Sequence, residues 1–145
     1  MYIHLTIMQI LANIEASLII EYMLESDTND DIIKIIDQPV SLSELKQIAE
    51  LRFGDLVKGV VDLEKKIMAI GGELHADEEA CLLDSGSRQR DLWGVNLYPD
   101  KTFPELVEFD SMINIRPSQN NRSRGVEDEN IRKAILEIIE NLLKK

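Results

Sequence analysis

Cysteine occurs once in the 145 residues, as Cys81. That excludes an intramolecular disulfide and any Cys-rich zinc motif, and it fits a reducing compartment such as the cytoplasm. Basic residues are missing at the start, where the first 31 positions hold six acids and no Lys or Arg. A secretory leader would open on a basic segment and end at a small-residue cleavage site, and this stretch has neither. Residues 2–24 are rich in Ile, Leu and Met, but Asn13 and Glu15 stand in their middle, which argues against a membrane span. Positive charge is short overall, with 16 Lys plus Arg against 27 Asp plus Glu and a net charge of −11. A field of that sign repels phosphate backbones, so nucleic acid is disfavoured as a partner.

What is present suits one domain of ordinary size. With 44% hydrophobic and 30% charged residues, a chain of this length can build a core without staples. In the N-terminal stretch, Gln9, Asn13, Ser17 and Glu21 form a polar stripe at helical spacing opposite Ile7, Leu11, Ile14, Leu18 and Tyr22, which predicts an amphipathic helix over residues 11–24. The alternation in residues 2–7 would also suit a strand. Residues 26–31 read as an acidic linker. The expected organisation is a helical extension with linker at 1–31 and a single domain at 32–145.

Within that domain, Ser41-Leu42-Ser43-Glu44 has the pattern of a capping box, predicting a helix that Gly54-Asp55 closes. Asp128 is placed to cap a last helix through residue 143. Between them the period falls towards two, and residues 32–36, 56–63, 67–70, 73–83, 92–98 and 107–116 read as strands, with Asp84-Ser85-Gly86-Ser87 as a hairpin turn. The expected fold is α+β: a mostly antiparallel sheet of four to six strands, packed by two helices, with the N-terminal helix in addition. Pairing of strands 73–83 and 92–98 is part of that scheme.

Side chains two apart on a strand share a face. Read so, Glu73, His75, Asp77 and Glu79 lie together, as do Asn96 and Tyr98, and as do Asp110, Asn114 and Arg116. Imidazole and carboxylate are the ligands of zinc, manganese and iron. His75, Asp77 and Asp110 are therefore the candidate catalytic residues, His75 and Asp77 the candidate ligands of a divalent metal, and Glu73, Asn96 and Asn114 their supports. The plainer account, and the more frequent one, is the wet face that antiparallel sheets leave to solvent. Cys81 reads as a buried inert thiol on a strand, and Trp93 as a core residue.

Residues 116–125 carry three arginines and no acid. Guanidinium forks match carboxylate and phosphate oxygens, and Ser and Asn add neutral donors. Arg116, Asn121, Arg122, Ser123 and Arg124 are thus candidate anion-binding residues. Glu127, Asp128 and Glu129 follow directly and could instead pair with these arginines as a structural clasp.

The runs GGELHADEE (71–79), WGVNLYP (93–99), FDSMINIRPS (109–118) and NRSR (121–124) together resemble a family of short prokaryotic proteins known as a domain of unknown function. The resemblance covers about residues 32–143 and implies no activity. Members favour glycine where Asn120 stands, the place of an expected tight turn. Two functions fit. One is a metal-dependent hydrolase of a small phosphorylated or carboxylated substrate, working at the polar sheet face beside the arginine loop. The other is a non-catalytic ligand-binding or protein-interaction module, whose arginines clasp the fold and whose N-terminal helix drives self-association into a homo-oligomer.

Overall fold

A computed structural model describes residues 2–30 and 33–144, with side chains for 7–21 and 33–144. The chain forms two units, residues 1–32 and 33–145. The first is one helix, α1 (Tyr2–Asp30). It starts earlier than its stripe predicts and runs through residues 26–30, where a linker is expected; Asp31 lies outside the described residues. No β-branched run or proline interrupts that segment. Ile20 falls between Gln9 and Asn13 around the helix, so the polar stripe is less pure than its four members suggest. Among the described residues no helix is long and apolar enough to cross a membrane.

The second unit is α+β. Its sheet has the order β1-β4-β3-β5-β6, formed by β1 (Lys34–Ile36), β3 (Val57–Asp62), β4 (Ile67–Ile70), β5 (Leu92–Leu97) and β6 (Val107–Glu108), and every neighbouring pair is antiparallel. A two-residue strand β2 (Val40–Ser41) pairs in parallel with β7 (Leu143–Lys144). Helices α2 (Leu42–Arg52) and α4 (Glu129–Leu142) bury Leu45, Ile48, Ile135 and Ile139 on one sheet face, against Val57, Val61, Met68, Ile70, Trp93, Val95 and Leu97. This is the face that both helical stripes require. Their starts obey the capping signals: Ser41 Oγ accepts from the Glu44 amide at 3.1 Å, and Asp128 Oδ1 accepts from the Asn130 amide at 2.8 Å. Glu44 pairs with Lys34 at 3.4 Å.

Three expectations about this unit fail. Residues 73–83 are not a strand. His75–Asp84 is a helix, α3, so the expected pairing with β5 does not exist. The ten residues contain no β-branched side chain, and Asp77 and Glu78 complement the positive end of the helix. A helical period is visible in hindsight, because the buried positions are His75, Glu78 and Leu82. Cys81 is accordingly a half-buried helix residue. Asp84-Ser85-Gly86-Ser87 is a helix stop and not a hairpin. Gly86 stands at φ +97°, with its amide on Leu83 O and the Ser87 amide on Leu82 O, the bonding of a Schellman cap. Helix α3 covers the second sheet face, Leu82 packing with Val60, Ala69 and Leu92.

The third failure is residues 107–116, where the strand ends at Glu108 and 3₁₀ turns follow at Met112–Asn114 and Pro117–Gln119. Side chains replace the missing ladder. The Asn114 amide accepts from Gly94 N at 2.8 Å and donates to Gly94 O at 3.0 Å, the two bonds that a neighbouring strand would make. Arg116 donates to Leu92 O and Gln89 O. Asp110, Asn114 and Arg116 therefore do not share a strand face. The tight turn at Asn120 does form, with φ 60° and ψ 26°, a conformation that asparagine tolerates better than most residues.

Candidate functional site

Four of the residues singled out from the sequence meet at one concavity. A cavity of about 200 Å³ is lined by Lys58, Leu74, His75, Ala76, Asn96, Asp110, Ser111, Met112, Ile113 and Arg124. Each comes from a different part of the fold. Lys58 and Asn96 are cross-strand partners on β3 and β5, His75 opens α3, residues 110–113 form the turn beyond β6, and Arg124 comes from the arginine loop.

His75 is 8% exposed, and its Nε2 lies 2.8 Å from Val95 O. A carbonyl only accepts, so Nε2 carries the proton and Nδ1 keeps its lone pair. Nδ1 has no hydrogen-bond partner among the described residues. Burial pushes the imidazole below its ordinary value; the Val95 bond and Asp110 oppose that, while Lys58 and Arg124 add to it. The ring is therefore neutral at pH 7, an acceptor beside two cations.

Arg124 Nε donates to Asp110 Oδ1 at 2.6 Å, which neutralises the one carboxylate on the cavity wall. Lys58 has no ion-pair partner among the described residues, and its ammonium lies 5.1 Å from the Phe53 ring centre. Asn96 Nδ2 donates to Glu108 Oε1 at 2.9 Å and to Asp110 O at 3.3 Å. Those two acceptors fix the amide's orientation, since turning it would set oxygen against oxygen.

The remaining candidates are elsewhere. Asp77 is exposed on α3, away from His75: two residues apart on a helix is roughly 200° around the axis, where on a strand it would be one face. The pair therefore does not share a face of α3. Among the described residues no three His, Cys, Asp or Glu side chains group so as to hold a metal ion. Glu73 is tied to the end of α2 by Arg52 at 2.8 Å.

Most polar groups of the arginine loop bond within the fold, although among the described residues none of its arginine side chains forms an ion pair with Glu127, Asp128 or Glu129. Arg116 stacks on the buried Trp93 at 4.2 Å while donating to the Leu92 and Gln89 carbonyls, so its guanidinium is engaged within the fold. Asn121 is 3% exposed. Its Nδ2 donates to Asn114 O at 2.7 Å and Gly125 O at 2.8 Å, and its Oδ1 accepts from the Glu127 amide at 2.9 Å. That amide is fully used in shaping the loop, as is Asn114's. Arg122 and Ser123 are exposed and line no part of the cavity.

Two residues that matter were not legible as site residues. Lys58 interrupts an apolar strand, and its position two before Val60 placed it on the α3 face, had that face been known to be covered. Glu78 is fully buried, with Oε2 accepting from the Gly72 amide at 3.2 Å. Burial pushes its carboxyl up to about 9, so it is neutral at pH 7. A Cβ on Gly72 would lie 2.9 Å from Glu78 Cγ; this close approach, with Gly71 at φ +94°, explains the glycine pair and seats the start of α3, hence His75.

The family model described as "Protein of unknown function (DUF5674)" matches residues 34–142. The chain belongs to the DUF5674 family. No curated protein and no solved structure matches it. All ten residues of the cavity wall fall inside the DUF5674 segment, whereas α1 precedes it.

Proposed function

We propose that the domain binds a small anion in the cavity between α3, β3, β5 and residues 110–124. The observation that carries this is a local reversal of charge. In a chain of net charge −11, this concavity is lined by Lys58 and Arg124 against the single carboxylate of Asp110. The Lys58 ammonium, which faces the Phe53 ring but has no ion-pair partner among the described residues, is the group that would anchor the ligand. With no set of three metal ligands among the described residues, binding is better supported than metal-dependent hydrolysis. Any proton transfer to or from a bound molecule falls to His75 Nδ1, the uncommitted base of the wall.

Calorimetric titration with a small carboxylate tests the reading. Lys58→Met should weaken binding by tenfold or more while the domain stays folded. Equal affinity of Lys58→Met and the parent, or no binding of any anion, defeats it. The affinity should also rise as pH falls from above the ordinary histidine range through the lowered pKa of His75. The folded imidazole is neutral above its lowered pKa and becomes a third cation facing Lys58, Arg124 and Asp110 below it, and His75→Asn should flatten that dependence.

A second reading concerns α1. We infer that the extension, residues 1–31, associates with a second copy of itself, because Ile7, Leu11, Ile14 and Leu18 are each about half exposed along one side of the helix, more apolar surface than a lone helix leaves in water. Light scattering after size-exclusion chromatography should give a mass above 16.5 kDa for the parent chain. Leu11→Glu with Leu18→Glu should return it to the monomer mass, and a parent chain that is already monomeric ends the idea.

A further inference from the structure

Resting on the anion site above, we propose that its ligand is a short amphipathic monocarboxylic acid, with its carboxylate at Lys58 and its hydrocarbon part between Leu74 and Met112. Charge selects the head group. The wall's two cations and one carboxylate leave a single positive charge to be matched, and Asp110 would repel the second charge of a phosphate dianion. Apolar exposure selects the tail. Leu74 is 56% exposed and Met112 65% exposed, and they approach the cavity from two different elements, the residue before α3 and the 3₁₀ turn at Met112–Asn114. Ala76 and Ile113 continue the apolar lining.

Neither large side chain has a place in either core cluster. A leucine and a methionine held in water at the rim of one cationic cavity lose their exposure together when an apolar chain lies between them. The volume of about 200 Å³ is below the roughly 300–1,000 Å³ of sites for drug-sized ligands, which restricts the tail to a few carbons.

The test titrates the full chain with butanoate, hexanoate and inorganic phosphate at pH 7. Each buried methylene should tighten binding about fourfold, so hexanoate should exceed butanoate by roughly fifteenfold, and both should exceed phosphate. In the double variant Leu74→Ser with Met112→Ser, checked for folding by circular dichroism, the hexanoate-to-butanoate ratio should fall towards one. A ratio near one in the parent chain overturns the amphipathic ligand and leaves the anion site standing. Phosphate binding more tightly than either acid overturns it as well. No binding of any of the three removes this inference together with the reading on which it rests.

Discussion

Gly94→Ala is expected to destabilise the domain by about 3 kcal/mol, at the upper end for overpacking because hydrogen bonds are lost with it. A Cβ at position 94 would stand 2.5 Å from Ser111 Cβ and 2.6 Å from Ser111 Oγ. Ser111 cannot step aside cheaply. It is 1% exposed, its amide bonds Arg124 O at 2.9 Å, and its Oγ caps the following turn by accepting from the Ile113 amide. Pushing residues 110–114 away from β5 also breaks the two bonds by which the Asn114 amide completes the strand at Gly94. Asp110 and Met112 ride on that segment, so the cavity wall moves with it and anion binding should weaken in parallel. Urea unfolding measures the loss. Ser111→Gly in the same chain should recover part of it, giving a coupling energy of about 1 kcal/mol or more in a double-mutant cycle. A loss below about 0.5 kcal/mol for Gly94→Ala would mean that residue 111 does not pack on β5 as described.

The second large effect is a stability that declines with alkalinity. Glu78 has a folded pKa pushed up to about 9 from 4.5. The folded state therefore holds a proton that the unfolded chain has released, and stability falls as pH rises between those values. At pH 7 the burial of Glu78 costs about 3 kcal/mol relative to an unshifted carboxyl. His75 acts in the opposite sense: its folded pKa is lowered, so its contribution is lost only as pH falls below the ordinary histidine range. That leaves pH 7 to 8.5 as the window in which the Glu78 slope is clean of histidine. Glu79 is also raised by burial, against the pull of Arg116, and adds in the same direction.

Glu78→Gln keeps an oxygen for the Gly72 amide and has no proton to lose. The variant should gain on the parent by roughly 2 kcal/mol between pH 7 and pH 8.5, read as a growing difference in urea midpoint. Parallel pH profiles for variant and parent would show that the Glu78 carboxyl is ionised in the fold.

Elements with local signals can be read directly from the residues. Ser41 and Asp128 mark helix starts because a short polar side chain can bond the free amides two or three residues on, and nothing distant competes. The α+β class, strands β1, β3, β4 and β5, and the presence of Trp93 in the core follow in the same way, from alternation and bulk. His75, Asn96 and Asp110 stand out as polar residues at strand spacing and Arg124 as one of three arginines in an acid-free loop. Their meeting at one cavity is not legible in the sequence.

Where local signals are ambiguous or absent, long-range packing sets the conformation. Residues 75–84 alternate well enough for a strand and carry helix formers throughout; the apolar second face of the sheet, built from Val60, Ala69 and Leu92, needed a cover, and Leu82 on a helix supplies it. That outcome sends Asp77 to solvent, dissolves the expected His75 and Asp77 pair, and sinks Glu78 into a site where it must stay neutral. Residues 109–116 have strand spacing, yet Asn114 and Arg116 satisfy the edge of β5 with side chains, so the backbone is free to turn and bring Asp110 and Met112 over the cavity. Lys58 reaches the cavity wall only because Asn96 stands opposite it and His75 lies on the same lining. These contacts join residues 10 to 38 positions apart, and a hydrogen bond or a packed face at that separation leaves no trace in the period of the sequence around either partner.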